Sequence, residues 1–75
     1  MHTLLDCHKG SLVKVLKLHA DKELKQRLLS FGIMREAVIE VLEYAPRKST
    51  IEIKVAKMRV ALRNKEAELI EVEAI

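Results

Sequence analysis

The 75-residue chain has one cysteine, one proline, two glycines, one phenylalanine, one tyrosine and no tryptophan. Each shortage excludes something. A lone thiol, Cys7, cannot form an internal disulfide, and a single cysteine suits a reducing, cytoplasmic setting. Gly10 and Gly32 are the only glycines, and neither belongs to a phosphate-cradling loop. Without aromatic platforms, recognition by stacking bases or proline-rich peptides is disfavoured, and the core has to be aliphatic. No apolar run approaches the roughly 20 residues of a membrane helix. The opening residues Met1 to Asp6 carry an acid where an export signal would carry bases, so the expected location is the cytoplasm.

Catalytic residues are also scarce. A nucleophile needs a base and a group to orient that base. His2, Cys7, His8 and His19 are the candidates; all lie at or before position 19, and three of them sit in what reads as a mobile lead-in. An enzyme is not expected. The same lead-in holds the donors that a metal site would need, His2, Cys7 and His8. Adjacent residues on a strand point to opposite faces, so Cys7 and His8 can chelate together only from a loop. There is no Cys-x-x-Cys or His-x-x-x-His pair in support. Neither a metal site nor a cofactor is expected, and Cys7 fits a small buried residue.

What is present is alternation. Ser11 to Leu18 is β-branched, short and imperfectly alternating, which predicts a strand. Asp21 is placed to cap a helix, and Glu23 adds favourable charge near its positive end. Leu24, Leu28 and Phe31 make one apolar stripe, and Gly32 sits where a left-handed helix stop is wanted. Leu29 lies roughly 140° from that stripe, at about 100° per residue. A second strand runs from Ala37 to Tyr44, with Ile39 and Val41 on one face and Val38, Leu42 and Tyr44 on the other. Pro46 stops it. Ile51, Ile53 and Val55 alternate in a third strand. Met58, Val60 and Leu62 form the inward set of a fourth. Asn64 is expected to cap one helical turn, Lys65 to Glu68, before a last strand at Leu69 to Val72. The fold class is mainly β: a small five-stranded SH3-like barrel in residues 1–75, a single domain, with one inserted helix and a short helical turn before the last strand. Closing such a sheet removes most exposed edges.

Charge is uneven. Residues 46–65 hold seven bases (among them Lys54, Lys57, Arg59 and Arg63) against one acid, a net +6, while residues 66–75 hold four acids and no base. The basic stretch has two readings: a patch for an acidic partner or nucleic acid, or the solvated outer face of strands. Off-stripe Leu29, together with Met34 and Arg35 in the turn after the helix, has the makings of an apolar contact patch with a basic rim. The partner-contact candidates are therefore Leu29, Met34, Arg35, Lys57 and Arg59. Small size also favours self-association.

Five features occur in a fixed order: Gly10, Arg27-Leu28-Leu29-Ser30-Phe31-Gly32, Ala45-Pro46, Leu62-Arg63-Asn64-Lys65-Glu66-Ala67, and Leu69 to Glu73. In this order and spacing the chain resembles the ferrous iron transport protein A (FeoA) family over nearly its whole length. The resemblance implies a cytosolic accessory protein of bacterial ferrous-iron uptake, located at the membrane through its partner. That implied partner is FeoB, a membrane transporter with a cytoplasmic GTP-binding domain. The domain is also similar to the SH3-like domain of iron-dependent repressors. The alternatives are thus a stand-alone domain of that type or a nucleic-acid-binding small barrel. Where the family places glycine or a Gly-Asp-Pro-like turn, this chain has Glu36, Lys57 and Lys48-Ser49-Thr50. Glu and Lys avoid positive φ, so these turns are expected to use other backbone geometry.

Overall fold

The computed structural model describes residues 2–75. Its elements run β1 (Leu12–Leu18), α1 (Lys22–Ser30), β2 (Val38–Tyr44), β3 (Thr50–Val55), β4 (Met58–Arg63), α2 (Asn64–Ala67) and β5 (Ile70–Ala74), with 3-10 turns at Leu4–Asp6 and Pro46–Lys48. The sheet order is β4-β3-β2-β1-β5, and all four pairings are antiparallel. The expected mainly β plan with one inserted helix and a helical turn before the last strand is the plan observed.

Two β-bulges bend this sheet. β1 spends two residues, Val15 to Lys17, where β5 spends one, so Leu16 is extra. β2 does the same between Val41 and Glu43 against β3, making Leu42 extra. A bulge shifts the alternation by one residue and sharpens the twist. Tyr44 therefore pairs with buried Ile51 and packs against the core. That corrects its placement on the face of Val38 and Leu42, opposite Ile39 and Val41. The core is aliphatic, as the composition requires: Val13, Val15, Ile39, Val41, Ile53, Leu62 and Val72 meet Leu28, Ile33 and Leu4.

Helix α1 ends in a glycine-closed reversal. Gly32, at φ +86°, donates to the Leu29 carbonyl (2.9 Å), and Ile33 donates to the Leu28 carbonyl (3.0 Å). These two hydrogen bonds satisfy carbonyls that the helix end would otherwise leave bare, and they bring buried Ile33 back to buried Leu28. At the other end, Asp21 accepts from the Leu24 amide at 2.8 Å, the expected cap.

Several expectations are corrected. Among the described residues β4 and β5 are the ends of the SH3-like strand order, and the lead-in, not expected to be ordered, covers the β5 edge. Thr3 bridges Glu71, and the Val72 amide donates to the His2 carbonyl at 2.9 Å. Far from being a loose arm, the lead-in buries Leu4 completely. Met58 holds the inward phase of β4 but is 47 % exposed, because it sits at the hairpin tip of an edge strand. Helix α2 begins at Asn64 rather than being capped by it. The N-cap is Arg63, and Glu66 in the first turn caps the helix start by accepting from the Arg63 amide (2.9 Å).

Positive φ is not avoided. Glu36 (77°), Arg47 (62°), Lys48 (55°) and Ala56 (55°) all adopt it. At Glu36 the reason is local: its amide donates to the Val15 carbonyl at 2.8 Å and the Val15 amide donates to Ala37 at 2.9 Å, which locks the chain to β1. Of the two residues turning the β3–β4 hairpin, Ala56 takes the left-handed position and Lys57 does not. Glycine fits that position without strain. Ala56→Gly is therefore expected to stabilise the domain by roughly 0.5–1 kcal/mol, read as a higher urea midpoint at unchanged slope.

Candidate functional site

Leu28 and Leu29 are neighbours in α1 with opposite fates. Leu28 points into the core, and Leu29, about 100° further round the helix, is 41 % exposed. The Gly32 reversal then returns the chain alongside the helix, so that Met34, 45 % exposed, and Arg35 lie next to Leu29. The β1 bulge supplies the opposite wall, Leu16 to Leu18. Together with Lys25 these residues line one open groove of about 750 Å³. Lys17, Lys25 and Arg35 stand around it, and none of the three takes part in an ion pair among the described residues. The structure thus brings Leu29, Met34 and Arg35 together. Leu16, Lys17, Leu18 and Lys25 were missed by the sequence reading. The signal available for them was the broken alternation Val15-Leu16, which marks the bulge.

The other two partner candidates lie elsewhere. Lys57 and Arg59 sit on the β3–β4 hairpin, outside the groove. Arg59 is paired with the Glu52 carboxylate, the one acid already counted in the net +6 of residues 46–65.

In the lead-in, the buried Cys7 thiol donates to the Thr3 carbonyl (3.6 Å), and His2 Nε2 lies 4.0 Å from the sulfur. Burial pushes the Cys7 thiol up, with the Asp6 charge adding to it, so a thiolate is disfavoured. His8 is exposed, and its amide donates to Ser11 Oγ (3.2 Å). No group of three metal-binding side chains occurs among the described residues. Asp6 accepts from the Thr3 amide (2.9 Å) and hydroxyl (3.2 Å), and the amide bond holds its carboxyl below the usual range. The Tyr44 hydroxyl donates into a cluster of lead-in carbonyls: Cys7, Leu4 (3.4 Å) and Leu5 (3.5 Å). Lys48 lies 4.7 Å over the same ring. Burial raises the Tyr44 pKa. These contacts hold the lead-in to the barrel.

One ion pair ties distant motifs together. Glu66 accepts from Arg27 Nη1 at 2.6 Å while its other oxygen caps α2. The Arg27 run and the Leu62–Ala67 run, far apart in sequence, are thereby joined in space.

Strand order, the helix after β1 and the single helical turn before β5 define an SH3-like β-domain. The chain belongs to the FeoA family, whose domain model matches residues 2–74. It is 36 % identical over 73 residues to a protein of Campylobacter jejuni named as Fe(2+) transport protein A, covering 97 % of this chain and 99 % of that one. A Helicobacter pylori protein of the same name is 34 % identical over 67 residues, covering 88 % of each. Among solved structures, the FeoA protein of Chlorobium tepidum superposes with a TM-score of 0.92 at 30 % identity, over 97 % of this chain and 70 % of that one. A manganese-dependent transcriptional repressor shares the fold (TM-score 0.91, 23 % identity), the match covering 99 % of this chain and 41 % of the repressor. No helix among the described residues is long and apolar enough to cross a membrane.

Proposed function

We propose that this chain is a cytosolic accessory protein of ferrous-iron uptake that docks on a FeoB-type transporter and tunes its GTP-dependent activity. Family membership supports the iron-transport setting. One observation supports docking: two large exposed apolar side chains, Leu29 and Met34, share a concave face with three bases that form no ion pair among the described residues. Exposed apolar clusters with a polar rim are the usual anatomy of an interaction site. The test is an NMR titration of the labelled domain with the soluble GTP-binding domain of the transporter from the same organism, with and without a GTP analogue. Shifts are expected at Leu29, Met34 and Arg35. Shifts confined to the nucleotide-bound state would tie docking to the GTP cycle. A Leu29→Glu/Met34→Glu variant should keep its unfolding midpoint and lose the interaction. Unimpaired binding by that variant would remove this face from consideration.

A further inference from the structure

We infer that the groove recognises a short acidic segment anchored by apolar side chains, a statement that rests on the docking reading above and adds the chemistry of the partner. Three features of the groove select this occupant. Its apolar lining, Leu16, Leu18, Leu29 and Met34, offers no fixed polar group that would orient a small polar ligand. Its rim, Lys17, Lys25 and Arg35, carries positive charge and forms no ion pair among the described residues. Glu71, which faces Lys17 across the β1–β5 pairing, is hydrogen-bonded to His19 at 2.7 Å, which leaves Lys25 and Arg35 as the rim charges with no acid opposite them in the sheet. The surface is also concave, so it receives side chains from a partner rather than inserting its own into a bilayer. A second copy of the chain fits poorly, because its acidic strand β5 is held between β1 and the lead-in.

Charge complementarity of this kind sets partner choice and association rate, and it weakens with salt. The probe is a capped, helix-forming peptide with two leucines one turn apart on a glutamate–alanine background. Its control has every glutamate replaced by lysine. In low salt the acidic peptide should shift the amides of Leu29, Met34 and Arg35, and the lysine peptide should not. Lys25→Glu/Arg35→Glu, two exposed substitutions that leave the core intact, should weaken acidic-peptide binding by about tenfold or more. Equal binding of both peptides, no groove shifts with the acidic one, or groove shifts only with anionic lipid vesicles would each overturn the inference. The two proposals fail separately. Transporter binding at this face without acidic-peptide selectivity removes only the charge reading, and peptide selectivity without transporter binding removes only the named partner.

Discussion

Leu28→Ala should lower the unfolding free energy by about 3 kcal/mol, within the usual 2–5 kcal/mol for a buried leucine truncated to alanine. Leu28 is fully buried, and its carbonyl receives the amides of Phe31 and Ile33 at the helix reversal. The cavity therefore opens where α1, the Gly32 turn and the sheet meet, at a point the backbone bonds prevent from collapsing. A domain of this length has only about 4–11 kcal/mol in total. One such cavity removes a large share of it, and thermal unfolding should fall by roughly 12–24 °C. The control lies one residue away. Leu29→Ala, on the exposed side, should stay within about 0.5 kcal/mol of the parent. Similar losses for the two variants in urea titrations would mean that the helix faces are misassigned.

Glu66→Ala is expected to cost about 1–2 kcal/mol, the typical value of a lost helix cap. The larger part comes from the Arg63 amide, left without its acceptor at the start of α2. The Arg27 contact adds less, because the Arg27 side chain is 55 % exposed and water screens the pair. A double-mutant cycle with Arg27→Ala separates the two contributions and should return a coupling below about 1 kcal/mol. Glu66→Gln keeps the acceptor and should recover most of the loss. If Glu66→Ala costs no more than Arg27→Ala alone, the capping role is wrong.

Much of this architecture could be read from local chemistry. Asp21, Gly32 and Pro46 each occupy a position that backbone geometry reserves for their type, so the helix limits and the end of β2 were legible. The FeoA-like order of motifs was legible too, although the Arg27–Glu66 contact that joins two of them links residues 39 apart and leaves no periodic trace. Bulges were not legible as such. Leu16 and Leu42 each shift a strand by one residue, so a strict two-residue period put Tyr44 on the wrong face. Met58 misled for the opposite reason: its period is right, but an edge hairpin tip has nothing beside it to bury against. The positive φ values at Glu36 and Ala56 show hydrogen bonds and hairpin closure overriding residue preference. Of the groove, the sequence disclosed Leu29, Met34 and Arg35, because an apolar residue off a helical stripe and another in a turn are anomalies on their own. Leu16 and Leu18 looked like ordinary strand residues, and only the bulge places them on the groove wall.

The tether between Tyr44 and the lead-in carbonyls has an optical consequence. Tyr44 is the only tyrosine, and there is no tryptophan to outshine it. Its phenol emission therefore comes from a single ring whose hydroxyl is engaged by the first turn of the chain. Undocking of that turn would free the hydroxyl and change the emission without any label. The unmodified protein thus carries its own spectroscopic gauge of whether the β5 edge is covered.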